Sequence, residues 1–294
     1  MFNQNKKQIG IIVVATLTAM YSALYLLPAR KVADKKVLNG IDTRVAHRCG
    51  RGIFPENTVF ACKKILDSNL AGFLEMDFHL TKDNIPVVIH DFSVDRTTNG
   101  IGEVSSLNYS ELEGLDAGYR FTADSGKSFP YRGKSVKIGK LEEFFQTFPN
   151  KNLMIEVKPN SEYAADQLLE LIQKYGREDS VIVGSFHQEI KDYLFKKNPN
   201  LAFFASKSEV TIWYLLSKVG LSHIYKMKSH VLAVPLKAGI FELNNSLLEK
   251  AHSQNLKVYV WTINDEPTMK LLLDMGVDGI MTDDPILLTQ LTKK

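Results

Sequence analysis

Between residues 44 and 281, short strand-like runs alternate with amphipathic helical stretches, and that alternation confines the chain to a parallel sheet wrapped in helices. Eight runs read as strands: 44–47, 73–77, 152–157, 181–184, 201–204, 231–234, 257–261 and 278–281. Helical patterns fall between most of them, at 57–68, 141–148, 162–175, 188–197, 245–255 and 266–275. Eight strands in this alternation predict a (β/α)8 TIM-type barrel, a fold that takes about 250 residues and carries its functional groups at the C-terminal ends of its strands. Residues 102–140, rich in Gly, Ser and aromatics, break the alternation and read as an excursion inserted after the second strand, over the site.

The segment from Glu75 to Asp91 carries the densest chemistry. Asp83-Asn84 separates two extended runs, and so short a connection allows only an antiparallel hairpin. With Asp83-Asn84 as a two-residue turn, Lys82 faces Ile85 and Asp77 stands opposite His90, while Glu75 shares the face of Asp77. A third acid, Glu156, alternates with Lys158 on the run that Pro159 stops. Glu75, Asp77 and Glu156 are hard oxygen donors at strand ends, a set suited to Mg²⁺ or Ca²⁺. His47 ends the first strand, followed by Arg48, Cys49 and Gly50, and then by Pro55-Glu56-Asn57-Thr58. His47 and His90 are the expected acid/base pair, because imidazole exchanges protons near neutral pH. Arg48 offers a planar fork for phosphate and Lys158 a point charge; Glu56 is expected to help hold the metal, to orient His47 or Arg48, or to tie down the loop. The other five of the 7 histidines (His79, His187, His223, His230 and His252) read as structural.

These motifs together resemble the glycerophosphodiester phosphodiesterase family, whose patterns His-Arg-Gly, Glu-Asn-Thr, Glu-x-Asp, His-Asp, Glu-x-Lys and Trp-Thr-x-Asn all have counterparts here, in order, from Arg44 to Pro285. Asp95-Arg96-Thr97-Thr98, Gly184-Ser185-Phe186 and Met281-Thr282-Asp283 extend the likeness. The resemblance implies metal-dependent hydrolysis of a glycerophosphodiester to glycerol 3-phosphate, or its acylated form, and an alcohol. Attack by the neighbouring glycerol hydroxyl or by water would use one histidine as base and the other as acid. It also implies a wall of the substrate pocket at Trp261. One departure stands out: Cys49 replaces the glycine that directly follows His-Arg, and a side chain there is expected either to crowd the phosphate pocket or to alter its reactivity. A lysophospholipase D that releases lysophosphatidic acid is the alternative activity, and a membrane-tethered barrel without turnover the alternative class.

With 45% hydrophobic and 23% charged residues the chain suits one large domain, and a formal charge of +3 gives no clustered basic face for nucleic acid. Cys49 and Cys62, its 2 cysteines, form no disulfide framework or zinc pattern and read as reduced. Residues 9–28 read as a transmembrane helix or signal anchor, because 9–27 carry no charge over a length that spans a bilayer core. Residues 1–8 then form a tail, 29–40 a linker and 41–294 the barrel. A cleaved signal peptide fits less well, since its apolar core is shorter. Arg30, Lys31, Lys35 and Lys36 after the span lean towards a cytoplasmic barrel. The short N-terminus and the Asn108-Tyr109-Ser110 and Asn244-Asn245-Ser246 triplets are compatible with the opposite side. The apolar run at 210–221 reads either as a segment dipping into the lipid interface or as a helix covering the barrel.

Overall fold

The computed structural model describes residues 2–40 and 42–292, so the expected segment bounds at 1, 41 and 294 lie outside the described residues. Its strands are β1 (Arg44–Ala46), β2 (Phe73–Leu80), β3 (Pro86–Val88), β4 (Asn152–Val157), β5 (Val181–Gly184), β6 (Ala202–Phe203), β7 (Val231–Val234), β8 (Lys237–Ala238), β9 (Phe241–Glu242), β10 (Lys257–Val260) and β11 (Gly279–Thr282). Its helices are α1 (Phe2–Tyr25), α2 (Val59–Asp67), α3 (Tyr109–Glu113), α4 (Leu141–Thr147), α5 (Glu162–Lys174), α6 (Gln188–Lys197), α7 (Lys207–Lys218), α8 (Asn245–Ser253), α9 (Glu266–Met275) and α10 (Pro285–Thr292).

Eight strands run parallel in the order β6-β5-β4-β2-β1-β11-β10-β7. The bridge between Phe204 and Val231 joins the two ends, helped by the bond from His230 N–H to the Phe203 carbonyl at 2.9 Å. The expected barrel is therefore present, with each expected strand inside it. Side chains alternate across its wall. Leu74, Met76 and Phe78 of β2, with Leu153, Ile155 and Val157 of β4, pack outward under α2, α4 and α5. Val45, Phe73, Met154, Ile182, Ala202, Val231 and Tyr259 point inward and fill the N-terminal half of the barrel. Val37 and Leu38 join that layer from below, so the segment before β1 forms the barrel floor.

One local expectation changes. The β2–β3 hairpin pairs Phe78 with Val88 and Leu80 with Pro86, one residue out of the expected register, so Asp77 faces Ile89. The two-residue turn gives way because the Thr81 hydroxyl bonds Asp83 at 2.6 Å and receives Ile85 N–H at 2.9 Å, while Asn84 takes a left-handed φ of 60°. These local bonds stabilise a longer loop. The apolar run at 210–221 falls largely within α7, the crossover from β6 to β7. Its N-terminus is set by a capping box of Ser206 and Glu209. The excursion after β3 carries α3 and a small core of its own, built from Val94, Val104, Leu112, Val136 and Ile138.

Candidate active site

The alternation that buries Val45, Phe73 and Met154 in the barrel carries, one or two steps further along the same strands, His47, Glu75, Asp77, Glu156 and Lys158 into its C-terminal half. They line a cavity of about 180 Å³ together with Arg48, His90 and Trp261. Phe186, Phe204, Ala205, Ala233 and Met281 give the same cavity an apolar side. Thus every expected site residue except Glu56 lines one cavity. His79, His187, His223, His230 and His252 do not line it.

Glu75, Asp77 and Glu156 each bring a carboxylate oxygen within 4.8 Å of the other two. Asp77 and Glu156 are direct neighbours in the β2–β4 register, a repulsive placement that requires positive charge between them. Lys158 supplies some of it, with Nζ 3.0 Å from Asp77 Oδ1 and 2.9 Å from Glu156 Oε2. Asp77 also accepts a bond from Asn57 Nδ2 at 3.1 Å. Burial pushes the Asp77 carboxyl up, but Lys158, His90, Arg48 and Asn57 together hold it below the usual range. Glu75 receives Arg48 N–H at 2.8 Å, yet burial and the charge of Asp77 raise its pKa well above normal. Glu156 is pushed up to about 7 by burial, against the pull of Lys158. Two acids with raised pKa values beside an ionised Asp77 fit a divalent cation, whose charge would favour the ionised form of Glu75 and Glu156 as well.

Each pocket histidine is oriented by an acid that the sequence reading had not given a role. His47 Nδ1 lies 2.6 Å from Asp283 Oδ1, just after β11, and Asn264 holds the other carboxylate oxygen at 2.9 Å. Burial raises the Asp283 carboxyl, and His47, with Asn264 and Arg51, more than reverses that. His90 Nδ1 lies 2.7 Å from Asp91 Oδ1. With Nδ1 engaged on both rings, Nε2 is the nitrogen left for chemistry. Burial lowers the His90 pKa below its ordinary value, against the pull of Asp77 and Asp91. Arg96 clamps Asp91 at 2.6 Å and Glu56 at 2.7 Å, and Glu56 accepts from Arg48 at 3.1 Å. Glu56 therefore holds Arg48 and Arg96 in place and stands apart from the three-acid cluster. Arg48 Nε is buried without a hydrogen-bond partner, 3.7 Å from Asp77 Oδ2. Asp91 follows His90 directly and Asp283 follows the last strand, positions that could have suggested both.

The sequence profile of the glycerophosphoryl diester phosphodiesterase family matches residues 47–287. The chain belongs to this family. A glycerophosphodiester phosphodiesterase of Caldanaerobacter subterraneus is 32% identical over 85% of this chain and 97% of its own length. Lysophospholipase D GDPD1 of Mus musculus is 27% identical over 94% of this chain and 92% of its own. In structure, the glycerophosphoryl diester phosphodiesterase domain of a Mycobacterium tuberculosis protein shares the fold at a TM-score of 0.75 and 19% identity, covering 85% of this chain and 99% of that one. An Oleispira antarctica phosphodiesterase in complex with sn-glycerol-3-phosphate aligns at a TM-score of 0.70 and 22% identity, over 86% of this chain and 98% of that one. The protein is thus a phosphoric diester hydrolase of the glycerophosphodiester phosphodiesterase type.

Two expectations for the family's glycine position are overturned. After β1 the backbone stays left-handed through Arg48 (φ 48°), Cys49 (φ 60°) and Gly50 (φ 82°), which explains why glycine suits position 49. Cys49 is not reduced: it is bonded to Cys62 of α2 across a Cα separation of 4.8 Å. The pairing depends on α2 packing beneath the β1 turn, a contact that a separation of 13 residues does not announce. Nor does its side chain crowd the pocket, because it is fully buried against α2 and absent from the cavity lining.

Proposed function

We propose that this phosphodiesterase uses His47 and His90 as its acid/base pair, with Glu75, Asp77 and Glu156 holding one Mg²⁺ or Ca²⁺. The observation that carries the reading is the convergence in one cavity of two Nε2 atoms, each backed by a carboxylate on Nδ1, beside a charge-deficient three-acid cluster. The cation, when bound, neutralises charge on the non-bridging phosphate oxygens. Arg48, in the cavity lining, brings a guanidinium charge to the same anionic group. One histidine takes the proton of the attacking hydroxyl, from the glycerol moiety or from water, and the other returns a proton to the leaving alcohol. Trp261 and the apolar side of the cavity hold the glycerol and what it carries.

The preferred substrate we propose is a lysophospholipid, with deacylated glycerophosphodiesters also turned over. In support, half of the cavity lining is apolar, and an alignment over 94% of the chain with a lysophospholipase D must run into the segment before the barrel. That segment contains Lys6–Tyr25, 20 residues of mean hydropathy 1.6 with none of them buried, which we read as an uncleaved bilayer span. The Cys49–Cys62 bond favours an oxidising compartment for the barrel, against the lean of the flanking lysines.

The test measures choline release from lysophosphatidylcholine and glycerophosphocholine by the full chain, with Mg²⁺, Ca²⁺ or EDTA, beside His47→Ala. Release that needs the metal and falls by a factor of about 10² or more in the variant is expected. Undiminished release in EDTA would remove the metal from the reading. A folded protein inert on a wide diester panel would leave only the binding barrel.

A further inference from the structure

We propose that the outer face of α7 lies on the bilayer beside α1, so that the apolar side of the active-site cavity opens at the lipid surface and admits a lysophospholipid whose acyl chain stays in the membrane. This rests on the reading of α1 as a bilayer span and deepens the lysophospholipid reading of the site.

Ile212, Leu215 and Val219 repeat at helical spacing along one face of α7 and are 45%, 50% and 50% exposed, while Trp213, Tyr214 and Ser217 face the barrel. A crossover helix on a barrel ordinarily turns a charged face outward, yet the only acid on α7, Glu209, is buried against Lys191. The exposed charges of α7 are Lys207 and Lys218, which suit lipid phosphates.

What covers this face follows from its neighbour. The last turn of α1 docks on the C-terminal end of α7: Tyr21 Oη donates to the Val219 carbonyl at 2.8 Å, and the Tyr25 ring packs on Gly220, where a Cβ would come within 3.1 Å. His223, just beyond α7, sits 3.2 Å from the Leu24 carbonyl. The apolar surface of α1 therefore continues directly into the Val219–Leu215–Ile212 face. On its buried side α7 holds the β8–β9 hairpin through the bond from Tyr214 Oη to the Ile240 carbonyl, and Ile240 itself is exposed.

The same sector of the barrel leads to the chemistry. α7 connects β6 to β7, and the apolar side of the cavity includes Phe204 and Ala205 after β6 and Ala233 in β7. Phe186 extends that apolar side as an exposed rim residue. Helix α7 runs antiparallel to the strands, so its C-terminal end, where α1 docks, is at the barrel floor and its N-terminal end at the mouth. A barrel standing on its floor would lift the mouth by roughly the length of α7, about 18 Å for 12 residues, beyond the reach of a lipid headgroup. Lying on α7, it brings both the end of α1 and the Phe204–Ala205 rim to the same surface.

The docking is read without activity by placing full-length protein in phosphatidylcholine vesicles, with and without brominated acyl chains, and comparing Leu215→Trp with Lys63→Trp on α2, across the barrel. Added fluorescence from Leu215→Trp should be quenched at least twofold and that from Lys63→Trp should not. Equal quenching at both positions, or at neither, overturns the proposal. In a second arm, Ile212→Ser/Leu215→Ser/Val219→Ser should lose about tenfold in turnover of vesicle-borne lysophosphatidylcholine and keep its turnover of soluble glycerophosphocholine, since removing three aliphatic anchors weakens only the lipid contact. Equal turnover of both substrates by variant and parent overturns the route from membrane to site. If the parent hydrolyses glycerophosphocholine but never lysophosphatidylcholine, the substrate reading fails, and the quenching result still decides the docking.

Discussion

Replacing Asp283 by Asn removes the charge behind His47 and leaves the shape of the site nearly unchanged. Asp283 Oδ1 takes the Nδ1 proton at 2.6 Å, and Oδ2 is fixed by Asn264 Nδ2 at 2.9 Å and faces Arg51 Nε at 3.5 Å. An amide keeps one acceptor but loses the charge and gains a donor that can turn His47 into the wrong tautomer. Losing a charge-assisted bond in a half-buried site costs about 1.5–3 kcal/mol, which corresponds to a roughly 10- to 150-fold fall in kcat. KM should change by less than about threefold, because Asp283 stands behind the imidazole and is not part of the cavity lining. Steady-state choline release at several pH values, with the melting temperature measured in parallel, checks this. Asp283→Glu should recover part of the rate. An unchanged kcat in a folded Asp283→Asn protein would refute the orienting role, and a rise in KM matching the fall in rate would mean that Asp283 contacts substrate.

The disulfide holds a non-glycine residue in left-handed backbone beside Arg48, and a bridge closing a loop of this size contributes about 3 kcal/mol. Cys62→Ser should therefore lower the melting temperature by roughly 6–12 °C and reduce kcat severalfold, and scanning calorimetry with and without reductant would detect it. His230 ties the closing seam of the barrel: its Nδ1 accepts Phe203 N–H at 3.3 Å, and burial, with Lys35 and Lys191 nearby, lowers its pKa to about 4. Because the folded-state value lies below the unfolded one near 6.5, the unfolded chain binds the extra proton between them. Stability from this group is complete above pH 6.5 and drains away towards pH 4, by about 2 kcal/mol between pH 7 and pH 5. Urea unfolding of His230→Gln should show that much less loss over the same interval than the parent, and identical pH slopes would exclude the seam as the sensitive point.

The site was legible in sequence to the extent that strand alternation governs it. Period two places Glu75 with Asp77 and Glu156 with Lys158 whatever the exact pairing, and the (β/α)8 pattern gathers strand ends at one mouth. The hairpin register slipped because it depends on the Thr81 and Asp83 side chains, whose local bonds compete with the simplest turn. His90 stays in the cavity despite the slip, since it lies past the paired residues, in the segment that leads into the excursion.

Sequence by itself determined the barrel, the apolar N-terminal helix and the strand ends that carry three acids and two histidines to one cavity, because these follow from periodicity and residue chemistry along a single strand or helix. Tertiary structure decided which partner each group has. Asp283 reaches His47 from 236 positions away, Arg96 joins Asp91 to Glu56, and Cys62 meets Cys49 only when α2 packs under the β1 turn. Hydrogen bonds and disulfides need atoms within a few ångströms, and that proximity is created between elements by packing, which a one-dimensional pattern does not encode.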